Sequence, residues 1–592
     1  MRKFPQNTIW RQDNNSDLYG DIWASFGINL SGELGKLKTN RTLSVARSVD
    51  DDTDNYVNGL GVAAAFRYYN GQLWAATNGT ISKAGASRTG AWGLDSTSGK
   101  PTTLSNRHSD LEIFNEILYV SPSSESKIYK LNDSTWSPVN WANMVTSRPH
   151  SLCAYSDRVY CQIDYAKIES INSADSIATV GNSYALNLTN PTSNTITFML
   201  AGSLNGIPGI WIGTVNRTGG KAYVYFWDGQ QTSVNYKFLL ESSGAMAGVV
   251  KDDVLHIIDN DGRLLAFNGG TFVEIDRLPI RDGDYLKSPL LEYNERWIHP
   301  RGMTVKNGAI LMLINNEYRG ATATFEENLP SGIWEWTKET GLYCKYPLSL
   351  TNHDATTIRD YGQNRISLAG ALSYIKSSST SATDNGSLLA SAQLYYNSSS
   401  TENHIFIDDL NDTYQKFAYF ITPKIFSTEI DDVWQTLLIR LKKLSTGDEI
   451  SMRYRTSEST PLDILITTWS GSNSVRTTTD ISDYTAGDEI EFTQGEGSGK
   501  CFKILSKSDL GGGVTEITLD GEFTGIDSSG YARLQHWKDI SEPFSDTSLD
   551  VIKKTLLPVK NSAWVQFKIC IQNTGNSYIY DMTIANKVNQ KI

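Results

Sequence analysis

Three glycines and a lysine in the run Gly495-Glu496-Gly497-Ser498-Gly499-Lys500 have the residue types of a phosphate-binding loop. Such a loop requires Gly-x-x-x-x-Gly-Lys-[Ser/Thr], so that backbone N–H groups wrap the phosphates and the final hydroxyl holds magnesium. Here Gln494 stands where the first glycine belongs and Cys501 where the hydroxyl belongs. A helix must also follow, with its N-terminus facing the anion. Instead Phe502-Lys503-Ile504-Leu505 runs for a strand's length before Gly511-Gly512-Gly513, and Ile490-Glu491-Phe492-Thr493 alternates before the loop. The pattern predicts two antiparallel strands joined by a glycine-rich connection.

Other candidate chemistry fails in the same way. Asp50-Asp51-Asp52-Thr53-Asp54 has the carboxylates of a calcium loop, but Asn55 replaces the required glycine and Gly61 the bidentate glutamate. Asp259-Asn260-Asp261-Gly262 reads first as a tight turn between two strands. Seven histidines are scattered without a zinc spacing, and Gly85-Ala86-Ser87-Arg88-Thr89 lacks the closing glycine of a nucleophile elbow. No Ser-x-Asp-x-Gly-x-x-Trp box of the sialidase kind occurs. Trp334 and Trp336 alternate on one strand, which predicts packing against a neighbouring sheet before sugar stacking. The expectation is therefore no catalytic, cofactor-binding or metal-binding residues, no cofactor, and no enzyme.

The elements that carry these residues are strands. The 592-residue chain is rich in Tyr and Trp, and its net charge of -12 argues against a general grip on nucleic acid. Five cysteines, Cys153, Cys161, Cys344, Cys501 and Cys570, show no metal spacing and are expected as buried free thiols. The N-terminus has no apolar leader and no stretch has the length of a membrane span, so synthesis in a cytoplasm is expected.

A repeat organises the first two thirds. Leu111 to Val139 aligns with Val249 to Ile275, each holding a strand, a tight polar turn, a second strand, a looser turn and a third strand. A further turn then leads to Thr135-Trp136 in one and Thr271-Phe272 in the other. The first hairpin recurs near Asn70-Gly71, Asn115, Asp157, Asn205-Gly206, Asp252, Asn307-Gly308 and Gly362, at intervals of about 42 to 55 residues. That is one four-stranded propeller blade. The expected fold is all-β, with a β-propeller of about seven blades over 1–410 and a β-sandwich over 411–592. An N-terminal strand around Leu18 to Phe26 is expected to close the ring. The Ser/Thr-rich runs Ser377 to Ser387 and Asn397 to His404 read as exposed loops or a linker. In the C-terminal part Val565, Phe567 and Ile569 alternate with Gln566 and Lys568, and the turn Gly447-Asp448-Glu449-Ile450 is repeated as Gly487-Asp488-Glu489-Ile490.

A propeller followed by "FAYFITPKIFSTEIDDVWQTLLIRLKKLSTGDEISMRYRT" (Phe417 to Thr456), "TTWSG" (Thr467 to Gly471) and "WVQFKICI" (Trp564 to Ile571) resembles bacteriophage virion proteins of the tail nozzle, or packaged-DNA stabilization, kind. The resemblance covers the whole chain in layout, with specific motifs only in the C-terminal part. It implies a structural tail protein, assembled as a hexameric ring below the portal and adaptor, that closes the DNA channel and opens for genome ejection. Its implied partners are itself, the adaptor and fibres, and genomic DNA passing without sequence-specific binding. The protein would be made in the host cytoplasm and located in the virion tail. Ile421-Thr422-Pro423-Lys424 would be the strand leaving the propeller for the sandwich. The chain departs from the family pattern in the long insertion Ser482 to Phe502. The alternative is a distal tail or fibre-associated propeller that binds a host surface glycan, with a glycan hydrolase a weaker third reading.

Overall fold

A computed structural model of the chain describes residues 2–4, 10–12, 21–33, 36–40, 43–45, 62–77, 79–84, 92–105, 109–132, 134–188, 193–278, 297–315, 331–348, 366–375, 386–397, 400–408, 417–426, 433–457, 462–470, 473–492, 501–520, 530–535, 537–540, 543–559, 562–572 and 578–587. Seven antiparallel sheets follow one another along the chain, at 63–94, 110–140, 152–187, 194–239, 245–277, 303–347 and 366–408, called blades 1 to 7 here. The first strand of each touches the first strand of the next, and that of blade 7 touches that of blade 1, so the ring is closed. The structure is an all-β seven-bladed propeller followed by a β-sandwich, as expected.

Local sequence explains the blades. The first hairpins of blades 1, 2, 4, 5 and 6 turn at Asn70-Gly71, Asn115-Glu116, Asn205-Gly206, Asp252-Asp253 and Asn307-Gly308, with both residues of each pair at positive φ. This is the turn whose twist matches that of the flanking strands, and Asn, Asp and Gly tolerate it best. Gly362 lies outside the described residues. Four-stranded sheets cannot bury both faces alone, and the ring solves this with one apolar layer in every gap between blades. Trp74, Trp136 and Leu118 fill the gap between blades 1 and 2, and Trp211, Phe226 and Phe267 that between blades 4 and 5. Ala63 and Leu389 complete the circuit between blades 7 and 1.

Two expectations about the ring are corrected. The closing strand is Leu43–Val45, which pairs with Ser400–Asp408 as the outermost strand of blade 7. Residues 18–20 lie outside the described set, and Ala24–Phe26 belongs to a sandwich sheet, paired with Phe417–Ile421. Of the run Asn397 to His404, residues 398 and 399 lie outside the described set and the rest is not a linker: residues 400–407 pair with residues 389–397, and His404 is buried. Serine and threonine are frequent there although the described backbone is strand, which composition alone misreads.

The sandwich is woven from both parts of the chain. One sheet runs Ile28–Glu33, Lys36–Thr39, Tyr578–Lys587, Val433–Leu441, Val551–Val559, with Arg2–Phe4 also on Tyr578–Lys587. The other runs Ala24–Phe26, Phe417–Ile421, Trp564–Gln572, Glu449–Thr456, Lys538–Asp539, with Ile425–Phe426 also on Trp564–Gln572. Their inner faces meet through Ile28, Leu37, Phe420, Ile439, Met452, Phe567 and Ile584. Thr422-Pro423-Lys424 is the break between two strands of the second sheet: Thr422 Oγ1 accepts from the Phe567 N–H at 3.0 Å, and Gln566 Nε2 donates to the Thr422 carbonyl at 2.7 Å.

Between Thr456 and Lys538 the chain leaves the sandwich and closes a six-stranded barrel, ordered Leu462–Trp469, Ser474–Thr477, Thr515–Leu519, Cys501–Asp509, Glu489–Phe492, Gly530–Gln535. The expected hairpin is present, with Ile490 opposite Phe502 and Glu491 opposite Cys501, but it belongs to this barrel and not to the sandwich. The loop 493–500 lies outside the described residues. The repeated Gly-Asp-Glu-Ile turn is one structure built twice: the Asp448 carboxylate accepts from the Ser445 N–H and the Asp488 carboxylate from the Thr485 N–H, both at 2.8 Å. Among the described residues no helix is long and apolar enough to cross a membrane.

Candidate functional site

The first strands of the blades run side by side around the axis, so residues at their starts share one end of the central channel. Blade 6 is preceded by His299-Pro300-Arg301-Gly302, a turn closed by the Gly302 N–H on the His299 carbonyl at 2.6 Å. The Arg301 N–H also donates to His299 Nδ1 at 3.0 Å. This turn aims the Arg301 guanidinium inward. Its Nη2 lies 2.5 Å from Asp110 Oδ2 in blade 2 and 2.6 Å from the Leu152 carbonyl in blade 3, while Nε is 3.2 Å from both Asp110 oxygens. In a ring of seven, blades 2 and 3 stand opposite blade 6, with two blades between on either side. Arg301 therefore spans the axis.

A second pair extends the cluster. Arg67 of blade 1 donates to both Glu112 oxygens, at 3.3 and 2.9 Å, and Glu112 is 3.9 Å from Arg301. Asp110 also accepts from the Leu152 N–H at 2.9 Å. Two guanidinium groups and two carboxylates thus balance in a confined space, which is the condition for keeping charge out of water. Burial alone would lower the Arg301 pKa, but Asp110 and Glu112 raise it above the usual arginine value. Burial pushes the neighbouring Cys153 thiol up to about 12, with Glu112 adding to the shift. A thiol held that high is a poor nucleophile.

A second charged cluster joins barrel and sandwich. Arg453 of the second sandwich sheet bonds Glu489 of the barrel and, at 3.1 Å, Asp539, which also takes Lys503. Lys568 has no solvent exposure, lies 3.8 Å from Glu489, and sits 4.6 Å from the centre of the Tyr419 ring. Arg455 stacks over Trp537 at 4.4 Å and donates to Gln566 Oε1 at 2.7 Å. The aromatic faces and the carboxylates of Glu489 and Asp539 compensate cations that have lost their water.

The residues singled out by sequence are dispersed. The tract 50–54 and the segment 85–89 lie outside the described residues. Asp259 is a turn residue, accepting from the N–H groups of Asp261 and Arg263 and paired with the Arg263 side chain. Trp334 is buried between blades 5 and 6 with Trp336 packed beside it. Cys153, Cys161, Cys344 and Cys570 are free and buried. Among the described residues no group of three or more His, Cys, Asp or Glu is placed to hold a metal. Sequence gave no sign of Arg301, Asp110 or Lys568; Arg301 and Asp110 are 191 residues apart, beyond any local pattern.

No protein-family model and no curated protein matches the chain. Solved structures with a similar strand arrangement include the extracellular domain of a two component system from B. thetaiotaomicron, at 11% identity and TM-score 0.37, covering 74% of this chain and 46% of that one. The chain thus spans less than half of that protein. Raptor from Chaetomium thermophilum aligns at 9% identity and TM-score 0.38 over 63% of this chain and 30% of that one. The Pan2 WD40 domain of Neurospora crassa aligns at 8% identity and TM-score 0.35 over 64% and 97%.

Proposed function

We propose that this chain is a structural component of a bacteriophage virion, a tail nozzle or hub ring that closes the DNA channel below the portal and adaptor and opens for genome ejection. The reading rests on the phage-like C-terminal motifs, and one structural observation supports it most: propeller and sandwich are locked into a single body. Trp10 and Tyr343, the latter from the last strand of blade 6, both enter the sandwich core. The Gln12 N–H donates to the Thr340 carbonyl at 3.0 Å and Asn40 Nδ2 to the Lys345 carbonyl at 2.9 Å. A subunit that retains pressurised DNA must pass load between its parts without hinging, and side chains and hydrogen bonds packed across a junction do so. The axial cluster of Arg301 and Asp110 fits the same reading, since a filled propeller axis makes the propeller a wall and leaves DNA to the axis of the assembled ring. In this role the protein catalyses nothing, and its partners are further copies of itself, the adaptor, fibres and the passing genome.

The test is cryo-EM of the intact particle. The expected result is a closed ring of this chain centred on the tail axis. Finding it on peripheral fibres, off the axis and in contact with sugar, would overturn the proposal in favour of glycan binding.

A further inference from the structure

Two arginines where blades 3 and 4 meet share one aromatic ring. The Arg148 guanidinium lies 4.2 Å and that of Arg217 4.0 Å from the centre of the Tyr165 ring. The two positive charges therefore stand within about 8 Å of one another, about one Debye length at physiological salt, so their repulsion is only partly screened. All three residues belong to the end of the ring at which the first strands begin. Arg148 lies in the connection into blade 3, Tyr165 in the turn between Arg158–Asp164 and Lys167–Asn172, and Arg217 just beyond Ile207–Asn216 of blade 4. Backbone contacts fix each of them. In the connection, the Val145 N–H donates to the Ile163 carbonyl at 2.9 Å and the Ser147 N–H to the Ser123 carbonyl at 2.6 Å. The buried His150 ring lies 2.6 Å from the Pro122 carbonyl and 3.0 Å from that of Val145. In blade 4 the Arg217 N–H donates to the Ser193 carbonyl at 3.1 Å, while Asn216 Oδ1 accepts from the Thr218 N–H at 3.0 Å and closes the turn. The Ile196 N–H on the Tyr165 carbonyl at 2.8 Å ties the two blades.

What these arginines lack sets them apart from the others in the propeller. Arg67, Arg263 and Arg301 each pair with a carboxylate. Arg158 stacks on Tyr184 at 4.8 Å, but its Nε donates to Ser170 Oγ at 2.7 Å and its Nη2 to the Ser176 carbonyl at 2.9 Å. Among the described residues neither Arg148 nor Arg217 has a carboxylate within ion-pair distance, and the Nε of each is sealed from solvent without an acceptor. Arg148 Nη1 reaches the Ser147 carbonyl at 3.2 Å. Asp164, beside Tyr165 in the chain, is engaged elsewhere: it lies 3.4 Å from Lys167 and accepts from the Tyr165 N–H at 2.8 Å. Like charges gathered without a counter-charge cost free energy, which an anion seated against both offsets. Both arginines are half-buried, with Ser147 and Thr218 exposed beside them, so the outer edges of the guanidinium groups are open to a ligand.

We propose that Arg148 and Arg217, held over the Tyr165 ring, form a binding site for a phosphate group. Each guanidinium offers a planar fork of charged N–H donors whose geometry matches phosphate oxygens. Two positive charges also match a phosphomonoester, which carries about −1.5 to −2 at pH 7, better than they match a carboxylate. The tyrosine holds both forks in place before the ligand arrives, so little side-chain freedom is lost on binding. A small phosphorylated compound and a nucleic-acid backbone offer the same chemistry, and the experiment separates them. The site does not depend on where the chain sits in a particle.

The experiment is isothermal titration calorimetry of the full chain with methyl phosphate, a simple phosphomonoester. Saturable binding at a single site is expected at pH 7.5. At pH 5.5 it should weaken about fourfold, because a phosphomonoester takes up its second proton near ~6 while arginine keeps its charge. R148Q and R217Q should each weaken binding at least tenfold, roughly the worth of one charge-assisted contact. K167Q, which removes a neighbouring cation already paired with Asp164, should leave it within about twofold. A duplex oligonucleotide without terminal phosphates that displaces methyl phosphate identifies a nucleic-acid backbone as the source, and one that does not identifies a small phosphorylated compound. No binding by the parent overturns the proposal, as does binding that survives in R148Q/R217Q or falls equally in K167Q. Displacement by acetate at equal concentration also overturns it, in favour of a carboxylate site. Circular dichroism of each variant separates misfolding from a lost contact, and the affinity and pH dependence of the parent need no variant at all.

Discussion

Arg301 and Asp110, 191 residues apart in sequence, meet across the propeller axis at 2.5 Å, with side-chain exposures of 17% and 4%. The pair ties blade 6 to blade 2, and through the Leu152 carbonyl to blade 3, so it braces the ring along a diameter where blade-to-blade packing acts only around the circumference.

Removing the cation leaves a carboxylate in a site built for a pair. Arg301→Leu is expected to cost about 3–5 kcal/mol, the usual penalty for a broken buried ion pair. The double variant Arg301→Leu/Asp110→Leu should recover much of that loss, since no uncompensated charge remains. Urea unfolding of the single and double variants checks this; equal losses in both would mean the pair acts through shape and not charge.

Acid should weaken the fold before most carboxylates titrate. Burial holds His404 well below the usual histidine value, at about 4, and burial also lowers His150 and His256. Unfolded histidine titrates near ~6.5. Between these values the unfolded chain binds the proton and the native chain does not, so stability is full above ~6.5 and declines as pH falls toward 4. His404 alone accounts for roughly 3 kcal/mol of that decline. Burial raises Asp259, which acts in the opposite direction at the acid end. Urea midpoints measured from pH 7.5 to 4.5 should fall steadily, and a flat profile would contradict the burial of these rings.

Gly341 holds the junction between blade 6 and the N-terminal segment. Its φ is +71°, and a Cβ would stand 2.4 Å from the Gln12 carbonyl oxygen. Gly341→Ala is expected to destabilise the protein by about 2 kcal/mol or more, through left-handed strain plus displacement of Gln12. Amide exchange at Gln12, bonded to Thr340, should quicken while the cores between blades 1 and 2 remain protected. Unchanged exchange at Gln12 would show that the segment is held elsewhere.

What sequence revealed was what neighbours in the chain decide. Asn-Gly and Asp-Asp turns carry their own geometry, so the blade rhythm from Asn70 to Asn307 was visible, as was the inward packing of Trp334. The doubled turn at Asp448 and Asp488 was legible as a repeated string. Pairings made at long range left no trace: nothing near Ala24 points to Ile421 as its partner, and nothing near Leu43 points to Asp408. Lys568 was hidden for a different reason. Alternation with Phe567 and Ile569 reads as a wet face, but in this sheet the second face is also covered, by Tyr419, Trp537 and the barrel's Glu489. The barrel was hidden because its strands alternate apolar and polar residues as the sandwich strands before and after it in the chain do.

The strand Ala24–Phe26 waits a long time for its neighbour. The segment it pairs with, Phe417–Ile421, is made almost four hundred residues after it. At about 5–20 residues per second the delay is on the order of 20 to 80 s. Over that interval the blades can close one after another from local hairpins, while Ile22, Phe26, Ile28 and Leu37 remain without the core that buries them. Maturation of this chain is thus divided in time, with a propeller able to assemble during translation and a sandwich that must wait for Tyr578–Lys587. Until then the nascent chain is most exposed to aggregation, and most in need of a chaperone, through the segment that holds Ile22, Phe26, Ile28 and Leu37.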